Sequence, residues 1–348
     1  MITEGDVLQA YERIRKDIVR TPLEYSAPLS RLTGARVFVK WEADQTTGSF
    51  KLRGALNKIR ALSAAEKRAG LIAASTGNHG LGVLRAAALE RAGAILYLPR
   101  TASPAKIAKL KAAGAVLEFH GSSCERAETA ARRTAAKTGK IYVSPYNDPD
   151  VIAGQGTLGL EILEDCPEAT DIYVPVGGGG LISGIGAYVK NRRPEIRIVG
   201  VEPAASAFMK ASLRAGRIVR VEEGRTAADA VAGGIEPGSI TFSLCRTFVD
   251  EIKLAGETRL REAMSLCYRL HGRIVEGAGG LALAALLKDA GRYRNRTVVL
   301  VSSGGNIDPE RWQKITGLWP GEGKGGQNRA SPSDRGGRPD GPMRPIRS

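Results

Sequence analysis

Along this chain, short apolar runs alternate with longer stretches whose apolar positions recur every three or four residues. The runs at Val37–Trp41, Gly70–Ser75, Ala94–Leu98, Ala115–Phe119, Ile141–Val143, Asp171–Val176, Arg197–Val201 and Thr297–Val301 have the length and side chains of buried strands. Helical period marks Leu52–Leu62, Asn78–Ala92, Ser103–Ala113, Ser123–Thr138, Asp150–Asp165, Leu181–Arg192, Ala204–Ala215, Thr258–Leu270 and Gly279–Leu287. Ahead of them, Met1–Arg20 puts Val7, Leu8, Tyr11, Ile14 and Ile18 on one face of an amphipathic helix. Gly93, Gly114, Gly139 and Gly216 each stand just past a periodic run, where helices stop. Strand alternating with helix predicts an α/β fold built on parallel sheets.

The period ends after residue 316. Glycine, proline and scattered charge fill 317–348, with Leu318 and Trp319 the last large hydrophobes. Nothing there offsets the entropy of ordering, so a disordered tail is expected. No window holds about 18 uninterrupted apolar residues, which argues against a helical membrane span. The N-terminal stretch is charged and lacks the apolar core of a secretion signal, so the expected compartment is the cytoplasm. Cys124, Cys166, Cys245 and Cys267 form no CxxC pair, and three histidines offer no zinc spacing, so all four read as packing or surface thiols. A net charge of +15 raises nucleic acid as a partner. The excess is spread over helix faces, as at Arg132-Arg133 and Arg192-Arg193, and aromatics at 5% are too sparse for stacking platforms. A solvated surface is the better account, and no nucleic acid is expected.

Candidate chemistry lies in four segments. In Gly48-Ser49-Phe50-Lys51-Leu52-Arg53-Gly54-Ala55, one lysine stands at an expected helix start, where the helix dipole disfavours a cation. Gly48 and Ser49 permit close backbone approach, and Phe50 would help desolvate the amine, lower its pKa and free a nucleophile. A solvated helix-face lysine is the plain alternative. Ser75-Thr76-Gly77-Asn78-His79-Gly80 joins a strand to a helix, where hydroxyls and free amides form an anion site. Thr76 and Asn78 could equally be N-caps, and His79 a core histidine. Gly177-Gly178-Gly179-Gly180-Leu181 again links strand to helix, so successive N–H groups can converge on a phosphate; a floppy turn is the alternative. It fails the dinucleotide fingerprint, because Ser183 takes the last glycine's place counted from Gly178. Ser302-Ser303-Gly304-Gly305-Asn306 also ends an apolar strand. The carboxyl ends of parallel strands are where such proteins bind ligands. A lysine set against a phosphate cradle suggests an aldehyde cofactor held as a Schiff base.

With Val151-Ile152-Ala153-Gly154-Gln155-Gly156-Thr157 and Gly200-Val201-Glu202-Pro203, these segments resemble the pyridoxal-phosphate enzymes of the tryptophan-synthase β-subunit fold (fold type II). Within that group the resemblance is to the threonine/serine dehydratases. Ser75-Thr76-Gly77-Asn78-His79-Gly80, Ala227-Ala228-Asp229 with Gly233-Gly234-Ile235, and Ile274-Val275-Glu276-Gly277-Ala278-Gly279 most resemble the hydroxyectoine-utilisation dehydratases, which act on a hydroxylated amino acid from compatible-solute breakdown. Phenylserine-type dehydratases share much of the pattern.

The resemblance implies two open α/β domains with pyridoxal 5′-phosphate in the cleft between them. Residues 1–70 and 147–316 would form the large domain and 71–146 a small inserted one. Lys51 would hold the cofactor and, once displaced, remove the substrate α-proton. Gly177, Gly178, Gly179, Gly180 and Leu181 would bind the 5′-phosphate, Asn78 the 3′-oxygen, and Ser303 beside Gly304 the pyridine nitrogen. Phe50 would pack by the ring, and Glu276 would complete the cofactor site. Ser75, Thr76, Asn78 and His79 would cradle the substrate carboxylate. A neutral serine at the ring nitrogen leaves a weaker electron sink, which suits loss of a β-hydroxyl over transamination.

The reaction so implied is β-elimination of water from a 3-hydroxy-L-amino acid, giving a 2-oxo acid and ammonia. Threonine, serine or a hydroxyectoine-derived amino acid would be the substrate. A racemase or a β-replacement enzyme is the alternative. Two positions depart from the racemases: Thr76 stands where they carry a second-face serine, and Phe208 stands six residues after Glu202, where a cation site needs an acid. No metal is therefore expected. The stretch after residue 316 is too short for a regulatory domain, so feedback by isoleucine is not expected. Kinship implies a homodimer or homotetramer.

Overall fold

The computed structural model describes residues 2–319. Ten strands run in chain order as β1 (Leu23–Tyr25), β2 (Arg36–Trp41), β3 (Leu71–Ala74), β4 (Ala94–Leu98), β5 (Val116–Phe119), β6 (Ile141–Tyr142), β7 (Asp171–Pro175), β8 (Arg197–Pro203), β9 (Glu251–Ala255) and β10 (Thr297–Ser302). Among them lie helices α1 (Glu4–Ile14), α2 (Ala27–Thr33), α3 (Lys51–Ala61), α4 (Ala64–Ala69), α5 (Asn78–Leu89), α6 (Pro104–Ala112) and α7 (Cys124–Thr138). The second half adds α8 (Pro149–Asp165), α9 (Gly180–Arg192), α10 (Phe208–Ala215), α11 (Ile240–Phe248), α12 (Glu257–His271), α13 (Gly277–Lys288) and α14 (Pro309–Thr316).

The strands make two sheets. The larger has the order β1-β2-β10-β7-β8-β9 and the smaller β5-β4-β3-β6. Every pairing is parallel except β1 with β2, so the larger sheet is mixed at one edge rather than wholly parallel. The smaller sheet is drawn wholly from residues 71–142. Strand β10 sits inside the larger sheet, with Val299 opposite Phe38 on one side and Ile172 on the other. Strands β7 and β10 are buried along their whole length, as a parallel strand covered by helices on both faces must be. One face packs Leu29, Trp41, Tyr173, Leu281 and Trp312; the other packs Leu158, Ile182, Ile198 and Val299.

Two devices fix the base on which the site is mounted. Helices α3, α8 and α9 touch through glycines: a side chain on Gly54 would meet the Val151 carbonyl, and one on Gly184 the backbone of Ile152 and Gly156. Beneath them lies a buried ionic cluster. Arg53 donates to Glu42 Oε1 at 2.9 Å and Glu161 Oε1 at 2.6 Å, while Lys40 Nζ lies 2.7 Å from Glu161 Oε2. Two cations against two carboxylates, all fully buried, leave no net charge in the core.

Several elements differ from the sequence expectation for physical reasons. Helix α10 starts at Phe208, not Ala204, because the Glu202 carboxylate accepts the Met209 and Lys210 amides at 2.7 and 2.9 Å and so fixes the helix start. Helix α5 ends at Leu89, with Arg91 at φ +52°, so the turn precedes Gly93. Gly114, Gly139 and Gly216 do take left-handed backbone. The N-terminal helix covers Glu4–Ile14, opened by a Thr3–Asp6 capping box, rather than all of 1–20. Of the stretch expected to be a disordered tail, Gly317 caps α14 at φ +71° and Leu318 packs on the core. Residues 320–348 lie outside the described residues. Among the described residues no helix is long and apolar enough to cross a membrane.

Candidate active site

The carboxyl ends of β3, β6, β7 and β10 open on one cavity of about 860 Å³. Its walls include Phe50, Lys51, Ser75, Thr76, Asn78, His79, the four glycines with Leu181, Glu276 and Ser303. Segments some 250 residues apart in sequence are stitched together there. Phe50 N–H donates to the Ser303 carbonyl at 3.1 Å, Gly305 N–H to the Gly48 carbonyl at 2.9 Å, and Ser49 bridges Gly304. Gly304 alone among the expected site residues lies behind the wall, where an added Cβ would stand 2.5 Å from Glu276 Oε1.

Lys51 is the first residue of α3, with Gly48 three residues before it at φ +72° to turn the chain. Its Nζ donates to the Pro145 carbonyl at 2.8 Å and lies 5.0 Å from the centre of the Phe50 ring. The side chain is partly exposed to the cavity, yet its amine is closely walled. Desolvation lowers its pKa to about 8, opposed by the Glu276 carboxyl. A neutral, nucleophilic amine is thus accessible near physiological pH.

The glycine loop leaves β7 and enters α9. Gly179 is its N-cap at φ +85°, a conformation that favours glycine. A side chain on Gly178 would collide with the Tyr146 ring, and one on Gly180 would stand 2.8 Å from Gln155 Oε1. The amides of Gly177, Gly178 and Gly179 find no acceptor among the described residues. Free amides at a helix N-terminus, beside a lysine of depressed pKa, fit a phosphate-bearing aldehyde.

Opposite them, Asn78 Nδ2 donates to Glu276 Oε1 at 2.6 Å, and Asn306 Nδ2 donates to Asn78 Oδ1 at 2.8 Å. Glu276 is the N-cap of α13; burial pushes its pKa up to about 7, against the donation from Asn78. Ser303 is buried, and its hydroxyl has no hydrogen-bond partner among the described residues. A neutral hydroxyl facing the cavity suits an uncharged aromatic nitrogen.

The strand-to-helix turn before α5 supplies backbone donors more than side chains. Ser75 Oγ accepts the Gly77 amide at 3.2 Å, and His79 Nε2 lies 2.8 Å from the Val143 carbonyl. Burial and the Lys51 charge take the His79 pKa down to about 3, so that ring is neutral. The Asn78 amide is committed at both ends. Of the four side chains expected around a carboxylate, Thr76 has an unpartnered hydroxyl among the described residues and Ser75, which only accepts there, keeps its O–H to donate; the first α5 amides, which no side chain caps, are further free donors.

Sequence reasoning did not single out Pro145, Tyr146, Gln155, Lys106 or Lys109, all of which line the cavity. Pro145 and Tyr146 follow β6, so the strand-end rule could have found them; the two lysines read as ordinary helix-face charge. Among the described residues no group of three or more His, Cys, Asp or Glu side chains is placed to hold a metal. Glu202 is engaged by the α10 amides.

Residues 14–304 match the family described as pyridoxal-phosphate dependent enzyme. The L-threonine ammonia-lyase of Thermotoga maritima is 43% identical, over 90% of this chain and 78% of its own length. The catabolic L-threonine dehydratase of Escherichia coli is 38% identical over 90% and 95%, and a serine racemase of Oryza sativa 35% over 87% and 90%. Among solved structures, the processed form of threonine deaminase isoform 2 from Solanum lycopersicum superposes with a TM-score of 0.84 at 34% identity, covering 90% of this chain and 91% of that one. Maize serine racemase gives 0.85 at 33%, covering 90% and 97%. Sequence and architecture agree over nearly all of the described residues, and on that agreement the chain belongs to the pyridoxal-phosphate dependent enzymes of the tryptophan-synthase β-subunit fold.

Proposed function

We propose that this pyridoxal-phosphate dependent lyase eliminates water from a 3-hydroxy-L-amino acid, threonine or serine first, to give a 2-oxo acid and ammonia. The observation that carries the reading is the pairing of a desolvated amine at Lys51 with an unpartnered neutral hydroxyl at Ser303 in one cavity. The names of the threonine ammonia-lyase and dehydratase relatives support it. Asp229, in a segment that resembles the hydroxyectoine-utilisation dehydratases, also lines the cavity, which keeps hydroxyectoine-derived amino acids in the test panel.

Pyridoxal phosphate, when bound, supplies the electron sink that makes an α-proton acidic. The chain's own residues do the rest. The Gly177–Gly180 amides would hold the phosphate, and Phe50 would pack by the ring. The α5 amides and the Thr76 hydroxyl would orient the substrate carboxylate, in the same cavity as Lys51. Lys51 Nζ, neutral at and above about pH 8, takes that proton. Residues 71–146 act as the smaller domain, and their approach to the rest excludes water.

Threonine, serine, phenylserine, 3-hydroxyaspartate and hydroxyectoine-derived amino acids form the test panel. Equimolar ammonia and 2-oxo acid from threonine or serine is expected. No turnover of any member, with cofactor bound, overturns the reading. A racemase remains the second reading because the Thr76 hydroxyl faces the cavity uncommitted; D-amino acid without 2-oxo acid would favour it.

A further inference from the structure

The cavity wall contains a hydrogen-bond chain with one direction. Lys109 Nζ, on α6, donates to Asn306 Oδ1 at 2.7 Å. Asn306 Nδ2 donates to Asn78 Oδ1 at 2.8 Å and to the Thr47 carbonyl at 2.7 Å. Asn78 Nδ2 then donates to Glu276 Oε1 at 2.6 Å. Each amide accepts from behind and donates ahead. We propose that Lys109 is a positioning residue, which acts through Asn306 and Asn78 to hold the Glu276 carboxyl ionised and aimed at the active-site cavity.

The argument is one of donor and acceptor polarity. A lysine ammonium has three donors and no acceptor, so it fixes which end of the Asn306 amide turns toward it. That leaves the Asn306 nitrogen for the Asn78 oxygen, and the Asn78 nitrogen for Glu276. A carboxylate, which only accepts, completes this polarity; a carboxylic acid offers a competing O–H. Aligned donors also polarise one another, which strengthens the last bond. The chain opposes burial, which by itself pushes Glu276 toward its neutral form. The charged groups facing Glu276 are Lys51 on α3, Lys106 and Lys109 on α6, and Asp229 in the segment before α11. The lysines favour the ionised form and Asp229 opposes it.

Lys109 belongs to the smaller sheet's helices, whereas Asn306 and Glu276 flank strand β10 and helix α13. The chain therefore spans the two sheets and exists only in this juxtaposition of them. An exposed residue on the rim of the cavity is thereby given control of a buried acid. The inference rests on the lyase reading only in placing Glu276 beside the cofactor.

The test is a titration of the Glu276 carboxyl carbon by 13C NMR in cofactor-loaded protein labelled at glutamate, with Glu276→Gln to assign the signal. Lys109→Met should raise the midpoint by about 0.5 pH unit. The corresponding limb of the kcat/KM profile should move up with it, whichever form the reaction uses. Lys109→Arg should restore both, and Lys111→Met, an exposed α6 neighbour, should change neither. In an Asn306→Ala background, Lys109→Met should add less than half the shift it causes in the wild type, the remainder being its charge acting through space. An unmoved midpoint in Lys109→Met overturns the proposal. So does an equal shift with and without Asn306, which would mark a through-space charge effect, or a like shift in Lys111→Met. Loss of lyase turnover in the wild-type protein, with the midpoint shifts intact, would sink the reaction and leave the chain of contacts standing.

Discussion

Lys51 Nζ donates to the Pro145 carbonyl at 2.8 Å, which ties the first residue of α3 to the loop that leaves the smaller sheet. A backbone carbonyl accepts without supplying charge, so it aims the amine without raising its pKa as a carboxylate would. Lys51→Ala should abolish the cofactor's protein-linked absorbance band and lower turnover at least ~1,000-fold. Spectra and borohydride trapping with mass measurement read the first effect; an unchanged circular dichroism spectrum shows that the fold survives. A variant that kept both band and activity would remove Lys51 from the mechanism.

Cofactor uptake by the apoprotein should follow the Lys51 amine. Only the neutral amine attacks an aldehyde, and desolvation puts its pKa at about 8. The uptake rate should therefore climb close to tenfold per pH unit below 8 and level off above it. Stopped-flow absorbance across pH 6.5–9.5 checks this, and a flat profile would contradict it.

Gly178→Ala should weaken cofactor binding. The new methyl would collide with the Tyr146 ring, whose hydroxyl accepts the Glu236 amide at 3.0 Å and so resists moving. Overpacking of this kind costs about 1–3 kcal/mol, or roughly 5- to 150-fold in Kd. Fluorescence titration of the apoprotein measures it, and an unaltered Kd would show the loop to be more yielding than its packing indicates.

Arg53→Ala should destabilise the protein by about 3–5 kcal/mol, because Glu42 and Glu161 are left buried with one lysine between them. Although burial raises the Glu161 pKa, Arg53 and Lys40 hold it below the ordinary carboxylate range. A depressed folded-state pKa contributes stability above the unfolded value near ~4.3, lost as pH falls through the lower folded one. Urea melts at pH 7 and pH 3 should show this loss in the wild type and a smaller one in the variant.

The repetition of strand and helix, and four ligand-shaped segments at strand ends, were legible because each is a local pattern. Strand β9, Glu-Ile-Lys-Leu-Ala, was not, since its charges pair laterally: Glu251 with Arg197 and Lys253 with Asp289. The antiparallel β1 is three residues long and carries no period to read. In the cavity, Phe50 and the glycine loop follow from sequence logic, whereas Tyr146 and Lys109 depend on how two sheets meet. The carboxylate cradle shows the limit most clearly. Sequence offers Ser75, Thr76, Asn78 and His79 as side chains, while the structure turns Asn78 and His79 to other partners and adds the uncapped α5 amides as donors.

Strand β10 fills a gap between β2 and β7 although it is the last strand to be synthesised among the described residues. A chain still emerging from the ribosome can assemble the smaller sheet, whose strands end at Tyr142, but must hold the edges of β2 and β7 unpaired until residue 302 has cleared the exit tunnel. Ser303 arrives in the same instant. Closing the sheet and completing the cavity wall therefore both wait for β10 and Ser303, and a chain stopped short of them would keep an open sheet edge and an incomplete cavity.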